Sequence, residues 1–366
     1  IDSKGNPLAP GLAWHDPRGI TEPIIKELGD FEFRARAGAL VNEIASISKT
    51  LWLNQELPAT KKAKHFLSAP EWVAYCLGAE LVNELSLVSR TGFYDVEARA
   101  PWNEAMALVG GGEDFLARLV VAGEPIGVVN DDAPEILRGA VLTIAGHDHF
   151  TAAYYCGAIN EGSLFDSMGT AEALLRTFKK PLSREAIAEL AAANVGLSCS
   201  VIADHFTLLG ALPTGLTLER VCSLVGVSSR EEKIKLGEAA LKIDPSASAL
   251  RVVNDYHGLS VTNLDDAVSP AALFRATTEH LTEDSANMVS LIEKFTGKAD
   301  EVVIAGGWIK NPMIASAKTK QFGKYKVSDA TEAGATGALK IIVSGSLGAV
   351  RVPATATYHS SPADEA

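Results

Sequence analysis

The sequence predicts an α/β fold, in which a largely helical first part is followed by alternating strands and helices. In residues 22–120, apolar side chains recur at three- and four-residue spacing, as they do in amphipathic helices. From residue 139 onward, short apolar or β-branched runs each end in glycine, and longer amphipathic stretches separate them. This alternation is typical of an α/β domain that binds its ligand at the ends of the strands.

The helical prediction in the first part rests on two stretches. Apolar residues follow helical spacing in PIIKELGDFEFRARAGALV, residues 23–41, and in APEWVAYCLGAELV, residues 69–82. The glycine run VGGGED, residues 109–114, is more typical of a connecting loop than of a binding site. We therefore predict helices in both stretches and a loop at the glycine run.

Strands and helices alternate in the second part. The predicted strands are GAVLTIAGHD, GSLFDSMGT, DHFTLLGALPTG and ADEVVIAGGW. The predicted helices are REAIAELAAAN, TLERVCSLVGV, SPAALFRATTEHLTEDSANMVSLIEKF and EAGATGALKIIVSG. The turn Gly169–Thr170 is expected to join a strand to a helix. We place residues 1–140 in a first domain, 141–350 in a second and 351–366 in a tail that is expected to be poorly ordered at its end.

Composition and charge narrow the function. Hydrophobic residues make up 47% and charged residues 21% of the chain, as in ordinary globular proteins. The net charge of −12 disfavours a nucleic-acid partner, because phosphate backbones require a basic surface, but it leaves a nucleotide ligand open. The four cysteines form no C-x-x-C pair, which disfavours a disulfide scaffold and a zinc site. No apolar run approaches the ~20 residues that cross a bilayer, so we expect a cytoplasmic protein with no membrane partner.

The triplet His147-Asp148-His149 allows two kinds of chemistry. On a strand only the two histidines would share a face, and no further ligand motif such as H-E-x-x-H occurs, so we expect no metal site. Taken alone, the triplet is a strand-end turn without chemistry. Together with Gly169-Thr170, about twenty residues on, it fits phosphoryl transfer, with Asp148 acting on a hydroxyl and the turn holding a phosphate. Walker A and G-x-G-x-x-G patterns are absent, which excludes P-loop and Rossmann sites.

The order and spacing of the motifs resemble those of the FGGY carbohydrate kinases. The matching stretches are GLAWHDPRG, SISKTLWLNQELP, EWVAYCLGAELVNELSLVSRTGFYD, AGHDHFTAA, DSMGTAEALL, LLGALPTGLTLERV, VVIAGGWIKNPMI and EAGATGALK. The resemblance implies an actin-like ATPase (ribonuclease H-like) fold of two lobes with a cleft between them, with the N-terminal lobe incomplete in this sequence. It implies ATP, Mg²⁺ and a small sugar as ligands, and dimers are common in the family.

The resemblance also implies residue roles. Asp148 would be the general base that takes the proton from the attacking sugar hydroxyl. The implied nucleotide contacts are Gly169, Thr170, Gly215, Gly306, Gly307 and Asn311. The implied sugar contacts are Trp14, Asp16, Arg18, Asp148 and His149. Alternatively, Gly215 and Asn311 only shape turns. Trp14 would then be a core residue, and Asp16 and Arg18 would only pair with each other.

Two departures from the family pattern affect the functional prediction. The D-x-G-T hairpin, which forms the family's first phosphate loop and whose Asp holds magnesium, is absent, so we expect this sequence to be part of a longer chain. Leu85 stands where glycerol kinases carry a pocket tyrosine, which favours xylulose, ribulose or fuculose over glycerol. The alternative function is that of a non-catalytic or regulatory protein of the actin-like fold, which binds nucleotide or sugar without phosphoryl transfer.

Overall fold

The computed structural model describes residues 1–244, 250–254, 258–264, 268–346 and 358–360. The chain divides into two compact units whose segments alternate in sequence. Unit 1 consists of Ile1–Tyr155, Thr177–Leu209 and Ala333–Ala354, and unit 2 of Cys156–Arg176, Gly210–Glu332 and Thr355–Ala366. The domain boundary at residue 140 stays a prediction. The predicted disorder of the tail concerns residues that, apart from Tyr358–Ser360, lie outside the described part of the chain.

The α-helices of the described residues lie in the stretches that the sequence predicts as helical. The prediction for residues 69–82 is wrong beyond Cys76, because the chain turns at Gly78, with a φ of +110°, and Val82 begins a strand. They are α1 (Glu22–Leu28), α2 (Asp30–Ala37), α3 (Ser46–Glu56), α4 (Ala69–Cys76), α5 (Leu85–Val88), α6 (Asn103–Leu108), α7 (Asp148–Tyr155), α8 (Arg184–Ala192), α9 (Thr214–Leu224), α10 (Arg230–Leu241), α11 (Pro270–Thr296), α12 (Pro312–Phe322) and α13 (Ala333–Ser346). Short 3-10 helices lie at Pro58–Lys62, Glu135–Leu137 and Trp308–Lys310. Gly29, with φ of 84°, separates α1 from α2 within the first predicted stretch. None of the described helices could span a membrane.

The strands include all four that the sequence predicts. They are β1 (Val82–Glu84), β2 (Tyr94–Asp95), β3 (Ala100–Pro101), β4 (Arg118–Val120), β5 (Pro125–Val128), β6 (Val141–Thr143), β7 (Ser163–Met168), β8 (Glu172–Phe178), β9 (Val195–Cys199), β10 (Phe206–Leu212), β11 (Arg251–Asn254), β12 (Leu259–Thr262), β13 (Glu301–Ala305), β14 (Lys326–Ser328) and β15 (Tyr358–Ser360). The α/β prediction is therefore confirmed. Two-stranded sheets are formed by β1 with β4, β2 with β3, β5 with β6, and β11 with β12.

A seven-stranded sheet determines where the glycine turns lie. Its strand order is β15-β14-β13-β7-β8-β10-β9. β13 and β7 are parallel neighbours, with Ala305 opposite Ser167, so the residues that follow both strands lie at one edge of the sheet. Gly169–Thr170 follows β7 and Gly306–Gly307 follows β13. The sheet therefore brings two of the predicted nucleotide turns together within unit 2.

The Gly169–Thr170 turn joins two strands, and the prediction that it leads into a helix is wrong. β8 runs antiparallel to β7, with Met168 opposite Glu172. The sequence of β8, EALLRTF, is rich in good helix formers, but all seven of its residues are buried. Burial of a short, continuous run inside the sheet overrides its helical propensity.

Aromatic side chains form part of the core of unit 1. The rings of Phe93 and Phe115 meet edge to face with centroids 5.2 Å apart, and Phe66 lies 5.3 Å from Phe93. Trp102 is almost fully buried, and the guanidinium of Arg36 lies 4.5 Å from the centre of its ring. The ring contacts join the loops that precede α4, β2 and β4, and the contact of Arg36 with Trp102 joins α2 to the residue before α6.

Candidate active site

Asp148 is the first residue of α7, five residues beyond the end of β6. Its side chain is 82% exposed. One carboxylate oxygen, Oδ1, accepts the backbone N–H of His149 at 2.7 Å and lies 3.1 Å from Nδ1 of His147. This leaves Oδ2 facing solvent, as a base for an incoming hydroxyl requires. The predicted strand-end position is thus corrected to a helix start.

The start of α7 is held from both sides. The carbonyl of His147 accepts the N–H groups of Phe150 and Thr151, which closes the first turn. The Thr151 hydroxyl contacts the carbonyl oxygens of Asp148 and Gly334 at 2.8 and 3.1 Å, so it connects α7 to α13. A side chain at Gly337 would overlap the carbonyl of Thr151, so α13 packs closely against α7 at this point.

The histidines beside Asp148 are partly buried and stack on each other. The rings of His147 and His149 are 5.8 Å apart, and His147 also contacts Phe150. Burial lowers the pKa of both histidines, and the nearby positive charge of Arg90 adds to this effect. Both rings are therefore neutral near pH 7. His149 remains a predicted sugar contact, and the described residues contain no cluster of three metal-ligating side chains.

The predicted sugar residues of the first half lie at an exposed loop of unit 1. Trp14 is 72% exposed, which excludes the alternative that it is a core residue. The Lys49 ammonium anchors this loop by donating to the carbonyls of Ala13 and Trp14 at 2.6 and 2.8 Å. Asp16 and Arg18 form a bidentate ion pair, and the hydrogen bonds from Arg18 hold the pKa of Asp16 at about 2. Their direct contact with sugar stays a prediction.

The two glycine turns at the edge of the seven-stranded sheet touch through their backbones. Gly306 adopts a φ of +108°, and a Cβ at this position would overlap the carbonyl oxygen of Met168. Only glycine fits this close approach. Gly169, Thr170 and Gly307 are exposed, and an added Cβ at Gly307 would meet nothing within 4 Å. These turns leave backbone accessible to a ligand at the strand ends.

Gly215 lies at the start of α9 and packs on the same turn. A Cβ at Gly215 would overlap the carbonyl oxygen of Gly169 and lie 2.9 Å from that of Thr170. The N–H of Leu216 donates to the Thr170 carbonyl at 2.8 Å. The start of α9 therefore lies directly on the turn, which supports the interpretation of Gly215 as a packing residue. A direct contact with nucleotide stays a prediction.

Replacing Gly215 by Ala is expected to displace the Gly169–Thr170 turn, because no space exists for the methyl group. We expect a loss of about 1–3 kcal/mol in the free energy of unfolding and about a tenfold weaker affinity for ATP. Urea denaturation and calorimetric titration with ATP measure the two effects. Gly307→Ala is the matched control, because its methyl group enters open space and leaves stability unchanged. Unchanged ATP affinity in Gly215→Ala, despite the expected loss of stability, would contradict a nucleotide site here.

Asn311 is buried and caps α12. Its Oδ1 accepts the Met313 N–H at 3.0 Å, and its Nδ2 donates to the Lys233 carbonyl at 2.8 Å. It therefore ties α10 to the start of α12. Both ends of the amide are used within the protein, which favours the turn-shaping alternative. A nucleotide contact from this side chain stays a prediction.

A buried charged cluster, which the sequence does not predict, lies near the glycine turns and consists of Lys318, Asp166 and Glu172. The Lys318 ammonium is almost fully buried and lies 2.8 Å from Asp166 and 2.6 Å from Glu172. Glu172 also accepts the hydroxyls of Ser285 and Thr214 at 2.6 and 2.7 Å. The sequence signal is a pair of carboxylates in neighbouring segments, Asp166 in β7 and Glu172 in β8. Because Thr214 precedes Gly215, the cluster fixes α9 against the turn.

The pattern that defines the N-terminal domain of the FGGY family of carbohydrate kinases matches residues 1–154. This match supports the resemblance of the chain to the FGGY carbohydrate kinases. An L-fuculokinase of Escherichia coli (strain K12) is 23% identical over 357 residues, which are 92% of this chain and 73% of the fuculokinase. A gluconokinase of Bacillus subtilis (strain 168) is 28% identical over 194 residues, which are 50% of this chain and only 37% of the gluconokinase.

Solved structures support the same fold. A xylulose kinase of Rhodospirillum rubrum superposes with a TM-score of 0.84 and 16% sequence identity, over 98% of this chain and 76% of that chain. At this identity the likeness establishes the fold only. The predicted fold of the FGGY kinases is thereby confirmed.

Proposed function

We propose that this protein is an ATP-dependent carbohydrate kinase that transfers the γ-phosphate of ATP to a hydroxyl of a small sugar. The observation that carries the proposal is the meeting of Gly169–Thr170, Gly306–Gly307 and the start of α9 at one edge of the sheet. Exposed backbone at strand ends, together with a helix start, suits phosphate oxygens and a flat base. The match of residues 1–154 to the N-terminal domain of the FGGY carbohydrate kinases supports the assignment.

In the proposed reaction, Asp148 is the general base. Its Oδ2 receives the proton of the attacking hydroxyl while the oxygen bonds to the γ-phosphorus and the bond to the β-phosphate oxygen breaks. The backbone of the Gly169–Thr170 turn would bind phosphate oxygens, and the Gly306–Gly307 turn would contact adenosine. The protein thus contributes mainly position and electrostatic stabilisation.

The resemblance to the family implies magnesium. In the part of the chain that the structure describes, no three His, Cys, Asp or Glu side chains lie close enough to hold a metal ion. Magnesium in nucleotide sites is commonly held by phosphate oxygens and one or two carboxylates. A homodimer and a cytoplasmic location remain part of the proposal on the strength of the family and the composition alone.

For the substrate, we propose a ketopentose or a deoxy-ketohexose such as xylulose, ribulose or fuculose. The name of one relative, L-fuculokinase, supports this class. Leu85, in place of a pocket tyrosine, argues against glycerol. Trp14 supplies an exposed apolar ring on which the CH face of a sugar can pack.

Replacing Trp14 by Ala tests the sugar side of the proposal. We expect the KM for the sugar to rise about tenfold, because the packing surface is lost, while the KM for ATP stays unchanged. Steady-state kinetics with each substrate varied in turn measures both constants. Phe31→Ala, which removes a half-exposed ring elsewhere in unit 1, is the control and should change neither. An unchanged KM for the sugar in Trp14→Ala would remove Trp14 from the sugar site.

A further inference from the structure

A buried carboxyl group lies behind the loop that carries Asp148. Glu84 ends β1 and Ser86 lies in α5, and both are completely buried. The Ser86 hydroxyl donates to Glu84 Oε2 at 2.6 Å, and the N–H of Leu87 donates to the same oxygen at 3.1 Å. Among the described residues, the other oxygen of Glu84 has no hydrogen-bond partner. The kinase proposal gives Glu84 no role.

The Glu84–Ser86 pair supports the Gly146–His147 backbone directly. Ser86 Oγ accepts the N–H of His147 at 3.0 Å. Gly146 has a φ of +97°, and a Cβ there would lie 2.6 Å from Ser86 Oγ and from Val201. The chain therefore passes over the serine with no room for a side chain. The next residue after His147 is Asp148, so a shift of this peptide moves the carboxylate.

We propose that Glu84, acting through Ser86, is a positioning residue that fixes the peptide of His147 and thereby the Asp148 carboxylate. The role of Asp148 in this inference rests on the proposed kinase function. The hydrogen bond between Ser86 and His147 does not depend on that function. When Glu84 is ionised it only accepts, so the Ser86 hydroxyl points to it and a serine lone pair stays available to His147. When Glu84 is protonated at Oε2, its O–H donates to Ser86 Oγ, and the Ser86 O–H turns away from Glu84. This rotation changes the direction of the lone pair that Ser86 offers to the His147 N–H.

The surroundings of Glu84 place the change between its protonated and ionised forms near neutral pH. Burial raises the pKa of the Glu84 carboxyl to about 7, against the opposing hydrogen bond from Ser86. The charged or titratable groups that face it are Glu71 on α4, whose Oε1 accepts the Glu84 N–H at 2.7 Å, and Cys199 on β9. Burial raises the pKa of Glu71 and of Cys199, and it lowers the pKa of His147. A histidine is therefore not the group that titrates near pH 7 at this position.

The first test removes the serine hydroxyl. In Ser86→Ala we expect kcat to fall by about tenfold to a hundredfold with the KM for ATP unchanged, because the base is misplaced. Ser89→Ala is the matched control: Ser89 is also fully buried and accepts a backbone N–H, that of Cys199, at 3.0 Å. It should lose similar stability and keep its kcat. Equal losses of kcat in the two variants would overturn the proposal.

The second test uses pH and a variant of similar shape. The kcat of the unmodified protein should rise as pH increases through about 7, where Glu84 ionises. In Glu84→Gln, which cannot ionise, this step should be absent. A pH profile with the same step in both proteins would overturn the proposal.

A third measurement does not depend on catalysis. Amide hydrogen exchange followed by NMR should show that the His147 N–H loses protection in Ser86→Ala and keeps it in Ser89→Ala. Retained protection in Ser86→Ala would overturn the positioning role. If no sugar is phosphorylated but protection is lost as expected, the kinase proposal fails and the structural contact stands.

Discussion

Replacing Asp148 by Asn is expected to lower kcat by about 10²–10⁴-fold while the affinity for ATP is retained. The amide has nearly the same shape as the carboxylate but does not accept the proton of the attacking hydroxyl. The exposed position of the side chain makes a folding defect from this change unexpected, because it stabilises no core contact. Steady-state turnover and calorimetric titration with ATP measure the two quantities.

The matched control is Asp132→Asn, which alters an exposed aspartate elsewhere in unit 1 and should leave turnover unchanged. Turnover by Asp148→Asn at the rate of the unmodified protein would rule out Asp148 as the base. A parallel loss of ATP binding would instead point to a structural role for this residue.

Replacing Lys318 by Met is expected to destabilise the protein by about 3–5 kcal/mol, because it leaves buried carboxylates without their cation. Lys318 contacts both Asp166 and Glu172, and all three side chains are almost fully buried. Urea denaturation measures the loss. Lys320→Met, two residues later on an exposed position of α12, is the control and should have little effect.

The loss from Lys318→Met should depend on pH in a defined direction. Burial already raises the pKa of Asp166 to about 7, although Lys318 opposes the shift. Without the lysine, the folded-state pKa of Asp166 rises further above its unfolded value. Such groups stabilise the fold when protonated and cost stability as pH rises. The destabilisation should therefore be larger at pH 8 than at pH 5, and a loss independent of pH would contradict this electrostatic account.

The sequence was sufficient for the elements whose local signal and tertiary role agree. The strands that end at Gly169 and Gly306 are short, apolar and followed by glycine, and the sheet places both turns at one edge. The long amphipathic stretches form helices for the same reason. The Gly169–Thr170 hairpin was missed because β8 has the composition of a helix, and only burial inside the sheet decides its state.

The sequence identifies the exposed residues of the candidate site, whose roles stay predictions, but not the buried residues that support them. Asp148 and the glycine turns follow from motif and order. The structure is needed to show that Asn311 caps α12 and that Gly215 packs against the Gly169–Thr170 turn. Lys318 depends on partners far away in sequence, and so does Ser86, which accepts the His147 N–H across 61 residues, so no local pattern identifies either. The partners of a buried charge are brought together only when the chain folds, so no single segment of the sequence reveals them.

The most direct test of the kinase assignment is transfer of labelled γ-phosphate from ATP to a panel of xylulose, ribulose, fuculose, gluconate and glycerol by the intact protein. The proposal predicts that a ketopentose or deoxy-ketohexose becomes labelled, and that Asp148→Asn abolishes the labelling. ATP binding without transfer to any sugar of the panel would contradict it and favour a nucleotide-binding protein of the same fold that lacks phosphoryl transfer.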